Sequence, residues 1–156
     1  MYVEAKRGRS RELWKFHGGL HLPENKEQSL TRPTRQAALP KRLVLPLQQH
    51  IGAPAQPLVE AGQRVLKGQK IADSPAPVSA PLHAPTSGTV VEIAEHPIPH
   101  PSGLSGPCIV IEPDGEDEWA QLPEPITDYL NCDAKVLRQR IREAGIVGMG
   151  GATFPS

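Results

Sequence analysis

Apolar residues in this chain fall in short runs and not in long stripes. From Arg42 to about Pro113 they cluster at Leu43–Leu47, Pro57–Val59, Arg64–Leu66, Lys70–Ala72, Gly88–Ile93 and Cys108–Ile111, with turn residues between them and β-branched residues dominating the last two. Runs this short, closely punctuated, predict about six strands of a small all-β sandwich or barrel. A helical period appears only near the end. Asp133 offers an N-cap, Ala134, Leu137, Ile141 and Ala144 fall on one face, and Gly145 suits the C-terminus, so a helix of about three turns is predicted there.

One segment inside the β region is patterned more finely. In V-E-A-G-Q-R-V-L-K-G-Q-K-I-A, Val59 to Ala72, Gly62 and Gly68 are each followed by Gln and then, two residues on, by Val65 or Ile71. Glycine tolerates positive φ, so each can turn the chain sharply while Val65 and Ile71 return to one apolar face. Further on, in Ala84 to Ile93, Pro85 and Gly88 bracket a tight turn into a β-branched strand. The Gly-x-x-Val-x-x-Gly-x-x-Ile pattern followed by Ala-Pro-x-x-Gly-x-Val resembles the barrel-sandwich hybrid of biotinyl and lipoyl carrier domains. Such a carrier holds its cofactor on a lysine at the hairpin tip between its two halves. The corresponding stretch here, Asp73 to His83, contains no lysine, so an unmodified sandwich is expected.

Composition supports the turn-rich reading and excludes others. The chain has 156 residues, including 18 Pro, 14 Gly and only six aromatics. That much proline excludes a helical bundle or coiled coil, while Pro plus Gly stays below the roughly 25–30% of low-complexity chains. The zero net charge conceals an asymmetry: residues 1–42 hold ten Lys/Arg against four Asp/Glu, and residues 43–156 seven against thirteen. A basic arm can meet nucleic acid, anionic lipid or an acidic partner, and composition alone does not choose. Cys108 and Cys132 are too few for a disulfide scaffold and lack C-x-x-C spacing, and Cys108 reads as a core thiol. Residues 1–13 have no apolar h-region, and no run approaches the ~18 apolar residues of a membrane span, so membrane association is expected to be peripheral.

Four segments follow: a basic mobile tail over 1–13, an extended arm with the sandwich over 14–114, an acidic, proline-rich linker over 115–130, and a final segment over 131–156. His96-Pro97-Ile98-Pro99-His100 imitates a metal pair at i, i+4, but the two prolines prevent the helix that would align the rings, and a structural loop is expected. His17, His21, His50 and His83 are scattered without a triad spacing. The sharpest motif is G-I-V-G-M-G-G-A-T-F-P-S, Gly145 to Ser156. Its glycines expose successive backbone N–H groups and permit close approach of a phosphate or a ring. It is neither a Walker loop nor a Rossmann fingerprint, and on pattern alone cofactor binding and a structural turn both stay open.

Taken together, W-K-F-H-G-G-L-H-L-P-E-N-K (Trp14–Lys26), L-P-L-Q-Q-H-I-G-A-P (Leu45–Pro54), G-Q-R-V-L-K-G-Q (Gly62–Gln69), H-A-P-T-S-G-T-V (His83–Val90) and G-I-V-G-M-G-G-A-T-F-P (Gly145–Pro155) resemble the C subunit of Rnf ion-translocating electron-transport complexes. The resemblance implies a mainly β barrel-sandwich hybrid with an extended N-terminal arm, and a C-terminal helix beginning an α/β flavin-binding domain like that of the complex I flavoprotein. It implies Gly148, Gly150, Gly151, Ala152 and Thr153 as the start of an FMN/NADH loop. Met149 stands where the complex I form usually has arginine, and Thr153 where it has glycine. For the whole subunit it implies FMN, two 4Fe-4S clusters, NADH and ferredoxin-side carriers, other Rnf subunits as partners, Na⁺ or H⁺ translocation, no nucleic acid, and a peripheral place on the cytoplasmic face of the bacterial inner membrane. The chain itself is expected to be an N-terminal structural or docking piece, without catalysis, metal or a complete cofactor site. A stand-alone sandwich-hybrid adaptor unrelated to electron transfer is the alternative.

Overall fold

The computed structural model describes Gly18 and residues 22–156. The basic tail and the start of the arm, including Trp14 and His17, lie outside the described residues. The chain divides into Met1–Ala37 and Ala38–Ser156. In the described part of the first unit, a turn closes where the Ser29 and Leu30 amides donate to the Lys26 carbonyl at 3.0 and 3.1 Å.

The second unit is mainly β. Its strands are β1 (Leu43–Pro46), β2 (Gln56–Pro57), β3 (Arg64–Val65), β4 (Lys70–Asp73), β5 (Leu82–His83), β6 (Gly88–Pro97) and β7 (Ser105–Pro113), followed by helix α1 (Ala134–Glu143). They form two antiparallel sheets, β1-β7-β6-β3 and β2-β4-β5. Residues from both sheets share one core: Val65, Val90, Ile109 and Ile111 from the first, Ile71, Ala72 and Leu82 from the second. This is the barrel-sandwich hybrid expected from the sequence. Each of the six runs overlaps a strand, and β5, only two residues long, is the addition that periodicity does not reveal. β6 and β7 outrun their apolar runs because they pair as far as Pro97 with Ser105, so the hairpin continues where its side chains are polar.

The glycine repeat is built as a structural repeat. Gly62 and Gly68 have φ of +87° and +77°, and Val65 and Ile71 are fully buried. The Gly62 amide donates to Val90 O at 2.7 Å and the Gly68 amide to Ala84 O at 2.8 Å. The glutamines explain themselves: Gln63 Oε1 accepts from the Glu60 amide and Gln69 Oε1 from the Leu66 amide, at 3.1 and 2.9 Å. Each side chain closes its own turn, satisfying a backbone donor that the turn would otherwise leave open.

Residues 114–120, read from sequence as the end of the sandwich and the start of a linker, form a strap on the barrel. Arg64 Nη2 lies 3.1, 3.0 and 2.8 Å from carboxylate oxygens of Asp114, Glu116 and Glu118. Ser87 Oγ donates to Asp114 Oδ1 at 2.7 Å, and Lys67 Nζ stands 4.7 Å from the Trp119 ring centroid. The acidic composition that suggests a solvated linker is matched here by Arg64 and Lys67, about fifty positions earlier.

The histidine pair is split between a strand and a turn. His96 lies in β6, and His100 Nδ1 binds Ser102 Oγ at 2.8 Å in the turn that follows. Among the described residues no group of three or more His, Cys, Asp or Glu could hold a metal ion. Cys108 is fully buried, as expected, and its burial pushes the thiol pKa up. Among the described residues no helix is long and apolar enough to cross a membrane.

Candidate functional site

Two features meet at one end of the barrel: the hairpin tip between β4 and β5, where a carrier domain would keep its lysine, and the segment from α1 to Ser156. The tip, residues 74–81, is held from two sides. On the first side the loop after β1 closes over it. Ala53 N donates to Val78 O at 3.0 Å and Ser79 Oγ donates to Ala53 O at 3.0 Å. Gly52 sits at φ +108°, and a Cβ there would lie 2.2 Å from Val78 O, so only glycine lets the two backbones approach. Ser79 and Ala80 are buried.

On the second side stands α1. Asp133 caps it, accepting from the Lys135 amide at 2.6 Å, as its sequence position predicts. The helix meets the barrel through charge, which the sequence does not suggest. Arg142 Nη2 donates to Asp73 Oδ1 at 3.0 Å and to Ser74 O at 2.6 Å. Lys70 pairs with Asp73 at 3.0 Å and also with Glu143. The expected apolar face does not make this contact: no residue of α1 is buried, and Ile141 remains 40% exposed. The surface beneath the helix ends in Lys70, Asp73 and the Ser74 carbonyl, which call for charged partners.

Electrostatics in this cluster reinforce the pairing. Burial alone would raise the Asp73 pKa, but bonds from Lys70, the Ser74 amide and Arg142 hold it below the usual carboxylate value. Burial likewise opposes the charge on Lys70, and Glu143 and Asp73 outweigh it, raising the ammonium pKa. His83, beside them, is shifted down, first by burial and then by the Lys70 charge.

Gly145 ends the helix at φ +67°, and a Cβ there would meet Pro81 O at 2.8 Å and His83 Nδ1 at 3.1 Å. The helix C-terminus therefore rests directly on the hairpin. Beyond it the glycine motif folds back on itself: Val147 bridges Pro155, Gly148 N donates to Phe154 O at 2.7 Å, and Thr153 N to Gly150 O at 3.1 Å. Ile51 N donates to Ala152 O at 3.3 Å, tying the loop to the barrel. A groove of about 710 Å³ runs beside it, with Gly151, Thr153, His50 and Gln49 among its walls.

All five residues singled out in this motif thus share one surface loop, with Gly150, Gly151 and Ala152 exposed and Gly148 and Thr153 half-buried. A Cβ on Gly150 or Gly151 would meet nothing within 4 Å, neither has positive φ, and one on Gly148 would make only ordinary contact with Phe154 at 3.5 Å. Internal sterics do not demand these glycines. Thr153, by contrast, holds φ +42°, a region that β-branched residues rarely occupy. The loop offers backbone amides and bare Cα positions to an approaching ligand, with the Thr153 hydroxyl as the polar side chain among the five. Lys70, Asp73, Arg142, Glu143 and His50 escaped sequence reasoning because their partners lie far away in the chain or on the backbone.

Comparison with known proteins agrees with this architecture. Residues 14–116 match the family model described as RnfC Barrel sandwich hybrid domain. Proteins named as the C subunit of the ion-translocating oxidoreductase complex are similar: that of Pseudomonas aeruginosa is 56% identical over 144 residues, 92% of this chain and 18% of the relative. Those of Yersinia pestis and Vibrio cholerae are 48% and 47% identical, over 93% and 95% of this chain and 23% and 19% of theirs. The chain spans about a fifth of the length of these curated relatives. It belongs to the RnfC barrel sandwich hybrid domain family.

Proposed function

We propose that this chain serves an Rnf-type electron-transport complex as the N-terminal part of its C subunit. In that role the barrel is an unmodified seat for the first helix and glycine loop of a flavin- and NADH-binding domain. The observation that carries this reading is the clamped hairpin tip: it has no lysine to carry a cofactor, and it is fastened to the 50–53 loop on one side and to Arg142 and Gly145 on the other. A swinging carrier needs a free tip, whereas a seat needs one that is held.

The names of the relatives support a redox, ion-translocating role for the whole protein. Gly148, Gly150, Gly151, Ala152 and Thr153 fit one wall of an FMN or NADH site, because glycines that the fold does not require leave room for a ligand against the main chain. When bound, FMN would accept electrons from NADH; these residues would hold it and leave the chemistry to the cofactor. The two 4Fe-4S clusters, ferredoxin-side carriers and coupling to Na⁺ or H⁺ belong to the longer subunit and its complex. Other Rnf subunits are the partners, with the basic arm as a docking contact. The place of action is the cytoplasmic face of the inner membrane, held peripherally.

The test uses the full-length subunit. Purified with and without Gly151→Val, it is assayed for non-covalent FMN and for NADH oxidation. A branched side chain on the loop should abolish FMN retention while the barrel stays folded by circular dichroism. Full FMN retention by the variant would refute the assignment of the loop.

A further inference from the structure

His50 is 6% exposed, and both of its ring nitrogens face backbone groups. Nδ1 lies 2.9 Å from Ile51 O. Nε2 lies 3.1 Å from Ala80 N and 3.3 Å from Ala80 O. A carbonyl cannot donate, so Nδ1 must carry a proton to bond Ile51 O, and the Ala80 N–H needs an unprotonated acceptor at Nε2. One state satisfies both, the neutral Nδ1–H tautomer. The opposite tautomer would turn a lone pair of Nδ1 toward the Ile51 carbonyl and set two hydrogens against each other at Ala80. The imidazolium would keep the first bond but leave the Ala80 N–H without its acceptor, exchanging the 3.1 Å bond for a longer one from Nε2 to Ala80 O at 3.3 Å.

We infer that His50 is a two-ended latch, in its neutral Nδ1–H form, that couples the β4–β5 hairpin tip to the glycine loop. Its Nε2 end holds the tip at Ala80. Its Nδ1 end holds the Ile51 carbonyl, and the same residue donates its amide, on the other side of its Cα, to Ala152 O at 3.3 Å. The ring does not touch the loop through any of these bonds, so it is a positioning residue. The neighbouring backbone leaves it little freedom: Gly52 must be glycine to pass under Val78, and Gln48 Nε2 donates to Gly52 O at 3.3 Å. The bearing of the latch on a bound cofactor rests on the function proposed above, but the latch is a property of this chain and can be read without cofactor.

The decisive experiment is nuclear magnetic resonance on the isotope-labelled 156-residue chain. In the unsubstituted protein, long-range proton–nitrogen correlations of the His50 ring should show Nδ1 protonated and Nε2 bare; a bare Nδ1 or a doubly protonated ring would overturn the inference without any variant. Two substitutions then separate the ends. Asn at position 50 can donate to Ile51 O but cannot reach Ala80, so His50→Asn should speed hydrogen exchange at the Ala80 amide about tenfold and leave Ile51 unchanged. His50→Gln can accept from Ala80 but does not reproduce the Nδ1 donor, so it should keep Ala80 protected, speed exchange at Ile51 and shift the Gly148 and Thr153 resonances. Equal effects of both variants on all these amides would reveal general packing and refute the latch. Failure of the proposed cofactor role would leave these readings unaltered.

Discussion

Arg142 Nη2 donates to Asp73 Oδ1 at 3.0 Å, joining the last turn of α1 to the end of β4 across 69 positions of sequence. The same nitrogen donates to Ser74 O, so one guanidinium fixes both a carboxylate and the start of the hairpin tip. Removing the carboxylate charge leaves Arg142 and Lys70 half-paired. Asp73→Asn should cost about 1–3 kcal/mol at neutral pH, measured by urea unfolding.

The same cluster sets a pH window. Asp73 is held below its ordinary 3.8, so its contribution is fully present above that value and is lost as pH falls through the lowered one. Lys70 is raised above 10.5, so its contribution is present below that value and is lost as pH rises through the raised one. The stability difference between wild type and Asp73→Asn should therefore hold from weakly acid to weakly alkaline pH and shrink in acid. A difference that grows as pH falls below the ordinary 3.8 would contradict the pairing.

Glycines with the same backbone sign should respond differently according to what surrounds them. Gly62 has φ +87° and a Cβ there would meet nothing within 4 Å, whereas Gly52 has φ +108° and a Cβ there would meet Val78 O at 2.2 Å. Gly62→Ala should cost about 1 kcal/mol from backbone strain alone. Gly52→Ala adds a backbone clash and should cost about 2–4 kcal/mol, with exchange at the Ala53 and Ala80 amides accelerated. Thermal unfolding and hydrogen exchange on the two variants check this.

Core and helix should separate equally clearly. Ile71 is fully buried between the sheets and Ile141 is 40% exposed on α1. Ile71→Ala should cost about 2–5 kcal/mol and Ile141→Ala less than about 0.5 kcal/mol in this chain, read as shifts of the urea midpoint. Equal costs would mean that the helix's apolar face is packed after all.

In the acidic strap, the Asp114 carboxyl is held below its ordinary value first by the Ser87 hydroxyl, with the Glu116 amide and Arg64 adding to it. A carboxyl titration followed by nuclear magnetic resonance should move Asp114 upward more in Ser87→Ala than in Arg64→Ala. The reverse order would make the ion pair the dominant partner.

What could be read from the sequence follows the range of the interactions. Val65 and Ile71 announced the core, Gly62 and Gly68 the turns and Asp133 the helix cap, because each signal depends on neighbours a few residues away. The two-residue β5 carries no period to detect. Arg64 against Asp114, and Lys70 against Glu143, are contacts between residues 50 and 73 positions apart, so composition showed the charges without showing that they were paired. The five loop residues are in one place because they are adjacent in sequence; the barrel surface that seats them through Ile51 is not.

Seating of the helix on the hairpin is tested most directly by the nuclear Overhauser effect between the Gly145 α-protons and the His83 ring. A Cβ at Gly145 would stand 3.3 Å from His83 Cε1, so one α-proton points at the ring. The expected result in the labelled chain is a strong cross-peak to the His83 Hε1 proton, weakened by Asp73→Asn. Absence of the cross-peak, with the amides of α1 exchanging as fast as those of an isolated helix, would contradict the seat.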